Sequence, residues 1–253
     1  MLAATVGNTV ETQASERLRD RYLNQGKLIA GEEGLDMDLI LQENYASVLA
    51  RYEEAGYSPY SGPAIDIPAE QFTGHGGDKP KVEPAGGRSE PVLVWEKNTE
   101  WVEWTIDVPV SGLYTIDFLY YPLPGQRMPI QRELWIDGGT PFREAERIYF
   151  FRNWVDDGEP RVNNQGDEVR PKQVEQPGWI EGPLMDGNGL YSRPFRFYLS
   201  EGKHVLRLNY LQEPMAIDRI RLAAPEEPPT YAEMLQYYES QGYAPVKDVT
   251  VKI

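Results

Sequence analysis

The feature that most constrains this chain is a series of short apolar–polar alternations, each closed by glycine, proline or aspartate, between residues 61 and 224. Successive side chains on a strand point to opposite faces, so an alternation of period two predicts a strand with one face buried. Residues 102–108 and 114–120 both alternate, and Pro109 and Gly112 mark the turn between them. A third strand is predicted over 132–136, closed by Asp137-Gly138-Gly139, and a fourth over 195–199. A fifth spans 204–210 after the turn Glu201-Gly202-Lys203, and a last one 215–222. Short strands joined by tight turns predict an all-β fold, an antiparallel β-sandwich, with α-helices at both ends. With 253 residues, the chain can bury a sizeable core.

The flanks read differently. Residues 11–27 have the composition of a polar helix, and a second helix is predicted over 36–55. There Tyr45, Val48, Leu49 and Tyr52 recur at helical spacing, and Gly56 stands where a C-terminal cap is wanted. Near the other end the same text returns. Residues 45–59 and 231–245 agree at eight of fifteen positions at a constant offset of 186. Thr230 with Glu233 makes a capping box for the second copy. A strand-like run follows each copy, at 64–67 and at 249–251. The expected organisation is an N-terminal helical segment (1–60), a β-sandwich (61–224) and a C-terminal helix and strand (225–253) that opens a next repeat of a longer protein. The competing reading is two amphipathic helices that share Tyr and Leu by chance.

Composition excludes several classes. There is no cysteine, hence no disulfide framework and no thiolate zinc site. His75 and His204 lie far apart in unlike contexts, which disfavours a histidine metal centre. No apolar run approaches the ~20 residues that span a bilayer. The start, Met1 to Thr5, lacks the basic stretch and apolar core of a signal peptide, so export is inferred and not read. A formal net charge of −15 repels phosphate backbones and argues against nucleic acid as a partner.

Several pieces, in order, resemble carbohydrate-binding modules of families six and thirty-five, in the galactose-binding-like superfamily. Ile67-Pro68-Ala69-Glu70-Gln71-Phe72 is similar to their first-strand Ala-Glu motif. Residues 104–109 and 112–116 resemble their central hairpin, and 134–138 their strand ending in Asp-Gly. Residues 199–208 resemble their Gly-turn and penultimate strand, and 217–222 their closing strand. The match covers about two-thirds of the chain. It implies a galactose-binding-like jelly roll, a non-catalytic role on poly- or oligosaccharides outside the cell, and a structural Ca²⁺ held by Glu70 and Asp218. The competing reading of those two carboxylates is a pair of solvated side chains. The helical flanks look more like repeats in large surface proteins of spore-forming soil bacteria, often the solute-binding components of sugar transporters.

The insertion over 139–194 is longer than those modules usually carry and shows no clean pair of strands. It concentrates aromatic and planar polar side chains. A pyranose offers an apolar C–H face and a rim of hydroxyls, so binding takes a flat ring with hydrogen-bonding groups beside it. Candidates are Arg152, Asn153 and Trp154, then Trp179, then Asn188 and Tyr191; Arg127 and Arg132 read as a bidentate clamp for an acidic sugar or, equally, as sheet-surface salt-bridge partners. Each tryptophan has packing as its alternative role. Glu175, Glu181 and Asp186 open a second reading, a polysaccharide-degrading enzyme with its cleft in the insertion. No nucleophile elbow, phosphate loop or zinc-protease helix is present; Gly74-His75-Gly76-Gly77 lacks the Lys and helix of a phosphate cradle. A third reading is an architectural repeat of a transporter's solute-binding protein with no glycan site of its own.

Overall fold

The computed structural model describes residues 43–243. The expected helix over 11–27, residues 36–42 of the one expected over 36–55 and the strand at 249–251 lie outside the described residues; the described helix begins only at Tyr45, because Asn44 caps it there.

Two antiparallel sheets face each other. One is seven-stranded, with the path β13 (Ile180–Pro183), β6 (Gly112–Pro122), β16 (Met215–Ala223), β4 (Pro91–Trp95), β3 (Lys81–Pro84). In it β1 (Ile65–Pro68) also pairs with β16, and β14 (Phe197–Leu199) with β6. The other is five-stranded, ordered β2 (Gly74–Gly77), β5 (Thr99–Val108), β15 (Gly202–Gln212), β7 (Ile130–Ile136), β8 (Ile148–Phe150). The sheets remain open sheets, packed as a sandwich.

The alternation read from β5 is realised. Val102, Trp104, Ile106 and Val108 are buried, and β15 supplies Leu206 and Leu208 as direct cross-strand partners of Trp104 and Val102. Facing them are Leu93 and Trp95 of β4, Tyr114, Ile116 and Phe118 of β6, and Ile217, Ile220 and Leu222 of β16. Each such side chain contributes about 1.5–3 kcal/mol when fully buried. The buried indoles are satisfied: Trp104 donates to the Ala69 carbonyl at 2.9 Å and Trp95 to the Thr99 carbonyl at 2.8 Å. All six strands expected from alternation form. β4 does not alternate because both its faces are covered: Leu93 and Trp95 enter the main core, while Val92 and Val94 pack with Ala216 and Trp179.

The insertion, whose sequence shows no clean pair of strands, nevertheless forms several short ones. It carries the chain from the edge of one sheet to the edge of the other, through a 3₁₀ turn (Arg143–Glu146), β8 on β7, and β13 on β6. Between these edges an antiparallel ribbon leaves the body. Its base is β9 (Trp154–Asp156) on β12 (Gln173–Glu175), and its tip is β10 (Arg161–Val162) on β11 (Glu168–Val169). We refer to this ribbon as the arm.

Helix α1 (Tyr45–Glu54) is part of the same body, since Tyr45 and Val48 are buried in the main core. Helix α2 (Tyr231–Ser240) buries none of its residues.

His204 closes one end of the sandwich. Its Nδ1 lies 2.6 Å from Asp137 Oδ2 and its Nε2 lies 2.8 Å from the Ser200 carbonyl, with Ser200 Oγ at 3.2 Å. Both ring nitrogens face acceptors, so the imidazolium form fits best and no lone pair is left to activate the serine hydroxyl. Burial opposes the charge, but the hydrogen bonds to Asp137 and the Ser200 carbonyl outweigh it and raise the His204 pKa above the ordinary histidine value. A raised folded pKa means stabilisation that is complete below about pH 6.5 and lost as pH climbs through the folded value. The melting-temperature advantage of the native chain over His204→Gln therefore shrinks from about pH 5.5 to about pH 8.5, as thermal melts across that range will show.

Candidate functional site

At the opposite end of the sandwich, segments from both sheets and from the insertion converge on one guanidinium. The Arg152 side chain is 1% exposed. Its Nε donates to the Met128 carbonyl at 2.9 Å, and Nη1 donates to Glu175 Oε1 at 2.5 Å. Nη2 donates to Glu213 Oε2 at 2.9 Å and to the Leu123 carbonyl at 3.1 Å. Arg152 thereby links the loop 123–129, the turn 212–214, the end of β8 and the base of the arm. Its expected role as a sugar contact is corrected: every one of its nitrogens is already engaged inside the protein, so none is free for a ligand.

Arg132 does parallel work beside it. It is fully buried and donates to the carbonyls of Gln131, Gln212 and Glu213 at 2.7, 2.8 and 2.9 Å. The Trp95 and Tyr210 rings, tilted 56° to each other, both lie against it, each centroid 4.4 Å from the guanidinium carbon. Burial pulls its pKa down to about 9, which still leaves it protonated at neutral pH. The two arginines hold Glu213 in a left-handed conformation (φ 63°). Such a conformation costs of order 1–3 kcal/mol in a residue other than glycine. Arg132 is thus internal, and not a clamp for an acidic sugar.

The arm base presents the most open of the six tryptophans. Trp154 is 41% exposed and pairs directly with Glu175 across the ribbon. Directly paired residues share a face of the ribbon, and so do residues two positions along. Trp154 and Glu175 therefore lie on the face that also carries Asp156 and Gln173, which pair with each other at 3.4 Å. Glu175 Oε2 lies 3.8 Å from Nε of Arg127, whose side chain is 71% exposed. Arg127 itself has φ 63° and lines, with Tyr121, Pro124, Gly125, Glu175 and Pro177, a cavity of about 290 Å³. An exposed ring, an exposed and a nearly buried carboxylate, an amide and an exposed cation thus meet at the arm base. Asn153 is exposed beside them, and its carbonyl accepts from the Gln176 N–H at 2.9 Å.

The other candidates lie elsewhere. Trp179 donates to the Gly86 carbonyl at 2.9 Å, lies 5.6 Å from the Tyr121 ring, and carries Arg88 over its face at 4.3 Å. It closes the small outer cluster with Val92, Val94 and Ala216, so its packing role is the one realised. Tyr191 is edge-on to Tyr45 at 5.1 Å and donates to Glu144 at 3.2 Å. It belongs to the seat of α1 and not to an open face. Asn188 is exposed, and its backbone N–H donates to Asp186 Oδ1 at 3.1 Å; it borders a separate groove of about 530 Å³ with Arg143, Glu144, Arg147 and Tyr149.

The three carboxylates that suggested a hydrolytic pair are apart in function and partner. Glu175 serves Arg152, and Glu181 binds Arg219 at 2.6 Å and Arg221 at 3.2 Å. Asp186 accepts backbone N–H groups of Asn188 and Tyr191. Each is held by its own partners, and the insertion does not bring them together as an acid/base pair.

Glu70 stands in the 3₁₀ turn Ala69–Gln71, which packs against β16 and β4. Asp218 sits on β16 where pairing with β6 slips between Ile217 and Arg219. The fold thus brings the two motifs to neighbouring elements. Arg88 Nη1, however, is 2.6 Å from Asp218 Oδ1, where a cation would sit. Among the described residues no group of three or more His, Asp or Glu side chains is arranged to hold a metal. Ca²⁺ asks for six to eight oxygens. In this arrangement the donor set does not fit a calcium ion while Arg88 holds Asp218.

Sequence reasoning missed the aromatic pair on the outer face of the five-stranded sheet. Trp101 and Trp135 flank Arg207, with ring centroids 3.9 and 5.6 Å from its guanidinium carbon, and Glu103 binds Arg207 at 2.6 Å. A residue larger than glycine at Gly76 would strike the Trp101 indole. Trp101 is two residues from a strand centre and in phase with Glu103, a signal of outward facing that alternation contained.

No protein-family model and no curated protein matches the chain. Among solved structures it is similar to a family 35 carbohydrate-binding module from Clostridium thermocellum, with 13% identity and a TM-score of 0.36, covering 64% of this chain and 98% of that one. The family 35 module of Cellvibrio japonicus gives 16% identity and a TM-score of 0.36, covering 65% of this chain and 95% of that one. The GH26-CBM35 β-(1,4)-mannanase of Podospora anserina gives 12% identity and a TM-score of 0.37, covering 66% of this chain. This chain spans 28% of the mannanase's length. No residue role is taken over from these structures.

Arg152→Ala leaves Glu213 only the Gln126 N–H and Glu175 only the more distant Arg127, both carboxylates in a nearly buried setting. The expected loss is about 3–5 kcal/mol of stability, read from denaturant unfolding, and Arg152→Lys restores little because one ammonium lacks the fork that reaches four oxygens.

Proposed function

We propose that the chain is a non-catalytic carbohydrate-binding module, acting outside the cell or on its surface, whose contact face is the base of the arm. The single observation that carries this reading is Trp154, an exposed indole on the same ribbon face as Glu175, Asp156 and Gln173, with Arg127 and Asn153 at its edge. A ring of this kind covers the C–H face of a pyranose, and carboxylate and amide oxygens accept from its hydroxyls. Arg127 adds a cation suited to an acidic sugar. The buried Arg152 network keeps the arm base in place, which reduces the ordering cost of binding. The order of motifs along the strands supports the same reading.

No helix among the described residues is long and apolar enough to cross a membrane. A polymeric glycan as ligand agrees with a module in a secreted or surface protein, with sugar-transporter components or further repeats as its neighbours. The test is a glycan array or affinity gel run with the intact chain. Binding to one class of oligosaccharide is expected, and Trp154→Ala weakens it at least about tenfold (~1.4 kcal/mol) with the melting temperature unchanged. A blank array from well-folded protein would favour the architectural reading, and release of reducing sugar the enzymatic one.

For the metal, we propose that Arg88 and Ca²⁺ compete for Asp218, with Glu70 as the second carboxylate. Chelator is expected to leave the native melting temperature unchanged, while Ca²⁺ raises that of Arg88→Ala. A drop in the native value on chelation would instead assign Glu70 and Asp218 a resident ion.

A further inference from the structure

The two helices share more than sequence. Each begins on a side-chain cap: Asn44 Oδ1 accepts the Ser47 N–H at 2.9 Å, and Thr230 Oγ1 accepts the Glu233 N–H at 3.3 Å. Each ends through one pattern of backbone bonds. Ala55, Gly56 and Tyr57 donate to Arg51, Glu53 and Tyr52; Gln241, Gly242 and Tyr243 donate to Tyr237, Glu239 and Tyr238. Gly56 (φ 70°) and Gly242 (φ 86°) take the left-handed cap position. After each cap a tyrosine folds back onto the helix, Tyr57 to Tyr52 at 5.8 Å and Tyr243 to Tyr238 at 6.2 Å.

Their surroundings differ. On α1 the repeated face is seated. The Tyr45 ring contacts Phe195 at 4.7 Å, Phe142 at 4.9 Å and Tyr191 at 5.1 Å. Its N–H donates to Glu144 at 2.8 Å, and its hydroxyl accepts the Arg196 N–H at 2.9 Å. Tyr57 stacks on Tyr198 at 3.6 Å with 9° between the planes. On α2 the matching tyrosines are open, Tyr231 80% exposed, Tyr238 48% and Tyr243 67%, with Met234 and Leu235 only partly covered.

The pattern of change between the copies follows the seat. Tyr45, Leu49 and Tyr52, which face it, recur unchanged as Tyr231, Leu235 and Tyr238, and buried Val48 is replaced by another apolar residue, Met234. The differences at Ser47, Ala50, Arg51, Glu54 and Ala55 fall on positions that are exposed in α1. A helix serving as a solvated spacer has no physical reason to keep three seat-facing large apolar residues while its outward positions change.

We propose that α2 is a docking helix whose partner is a β-sandwich following it in the same polypeptide, one that carries an aromatic seat like that of Phe142, Tyr191, Phe195 and Tyr198. This gives a head-to-tail rule for a tandem array: each helix packs on the sandwich next in line, as α1 does here. The inference rests on the two helices and the seat, and stands independently of the sugar reading.

The test is a graft within the full chain, with residues 45–57 replaced by the sequence of 231–243, in two versions: one complete, one retaining Val48. At least the version retaining Val48 is expected to melt within a few degrees of the native chain, and Tyr231→Ala within that graft to lower the melt as Tyr45→Ala does in the native chain. If both versions instead melt like Val48→Asp, in which a charge is forced into the seat, α2 does not fit such a surface and the proposal fails. Sedimentation of the native chain should show a monomer, since α1 already fills its seat. Self-association abolished by Tyr238→Ser would make the occupant a second copy and overturn the assignment to a following sandwich.

Discussion

Burying a guanidinium costs least when each of its nitrogens meets an oxygen and its charge is answered nearby. Arg152 satisfies both conditions by drawing on three separate stretches of chain. The loop 123–129 supplies the carbonyls of Leu123 and Met128, and the other two supply the carboxylates of Glu175 and Glu213. The arm, the edge strand β8 and the closing turn of the sandwich are therefore not independent loops. Trp154 stands two residues beyond this centre and opposite one of its carboxylates. Its orientation follows from where the charge network holds the ribbon, and the proposed contact face inherits the rigidity of a buried ion cluster instead of the mobility of a long surface loop.

The same economy explains why so few of the polar candidates are available to a ligand. Arg152 and Arg132 are internal, Arg207 is held between two indoles, and Glu181 belongs to an arginine ladder on the outer face of the seven-stranded sheet. A chain rich in charged residues had offered many possible clamps and acids. Folding used most of them on one another, because a charge at a sheet surface or in a loop core is cheapest beside its opposite. Of the candidates at the arm base, what stays open is the Trp154 ring, Asp156 and Gln173 on its ribbon face, Asn153 and Arg127.

The helices make the complementary point. Local sequence specified their caps, lengths and return tyrosines so closely that the two copies share their terminating bonds. Yet Tyr45 is 4% exposed and Tyr231 80%. Identical local chemistry has two fates according to whether an aromatic surface lies within reach, so burial belongs to the assembly and not to the helix.

From residues alone one can determine what depends on neighbours in the chain. Alternation located the six principal strands, the apolar stripe ending at Gly56 located the body and end of α1, the capping box located the start of α2, and the repeat at constant offset identified one helix as the counterpart of the other. The ordered motifs indicated the sandwich. Only the tertiary structure decided what depends on residues far apart: that β4 is covered on both faces, that the insertion bridges two sheet edges, that Trp179 is a packing residue while Trp154 is open, and that Arg88 reaches Asp218. The physical reason is that periodicity records which side of an element faces inward, whereas availability for binding is set by which distant charges and rings arrive first.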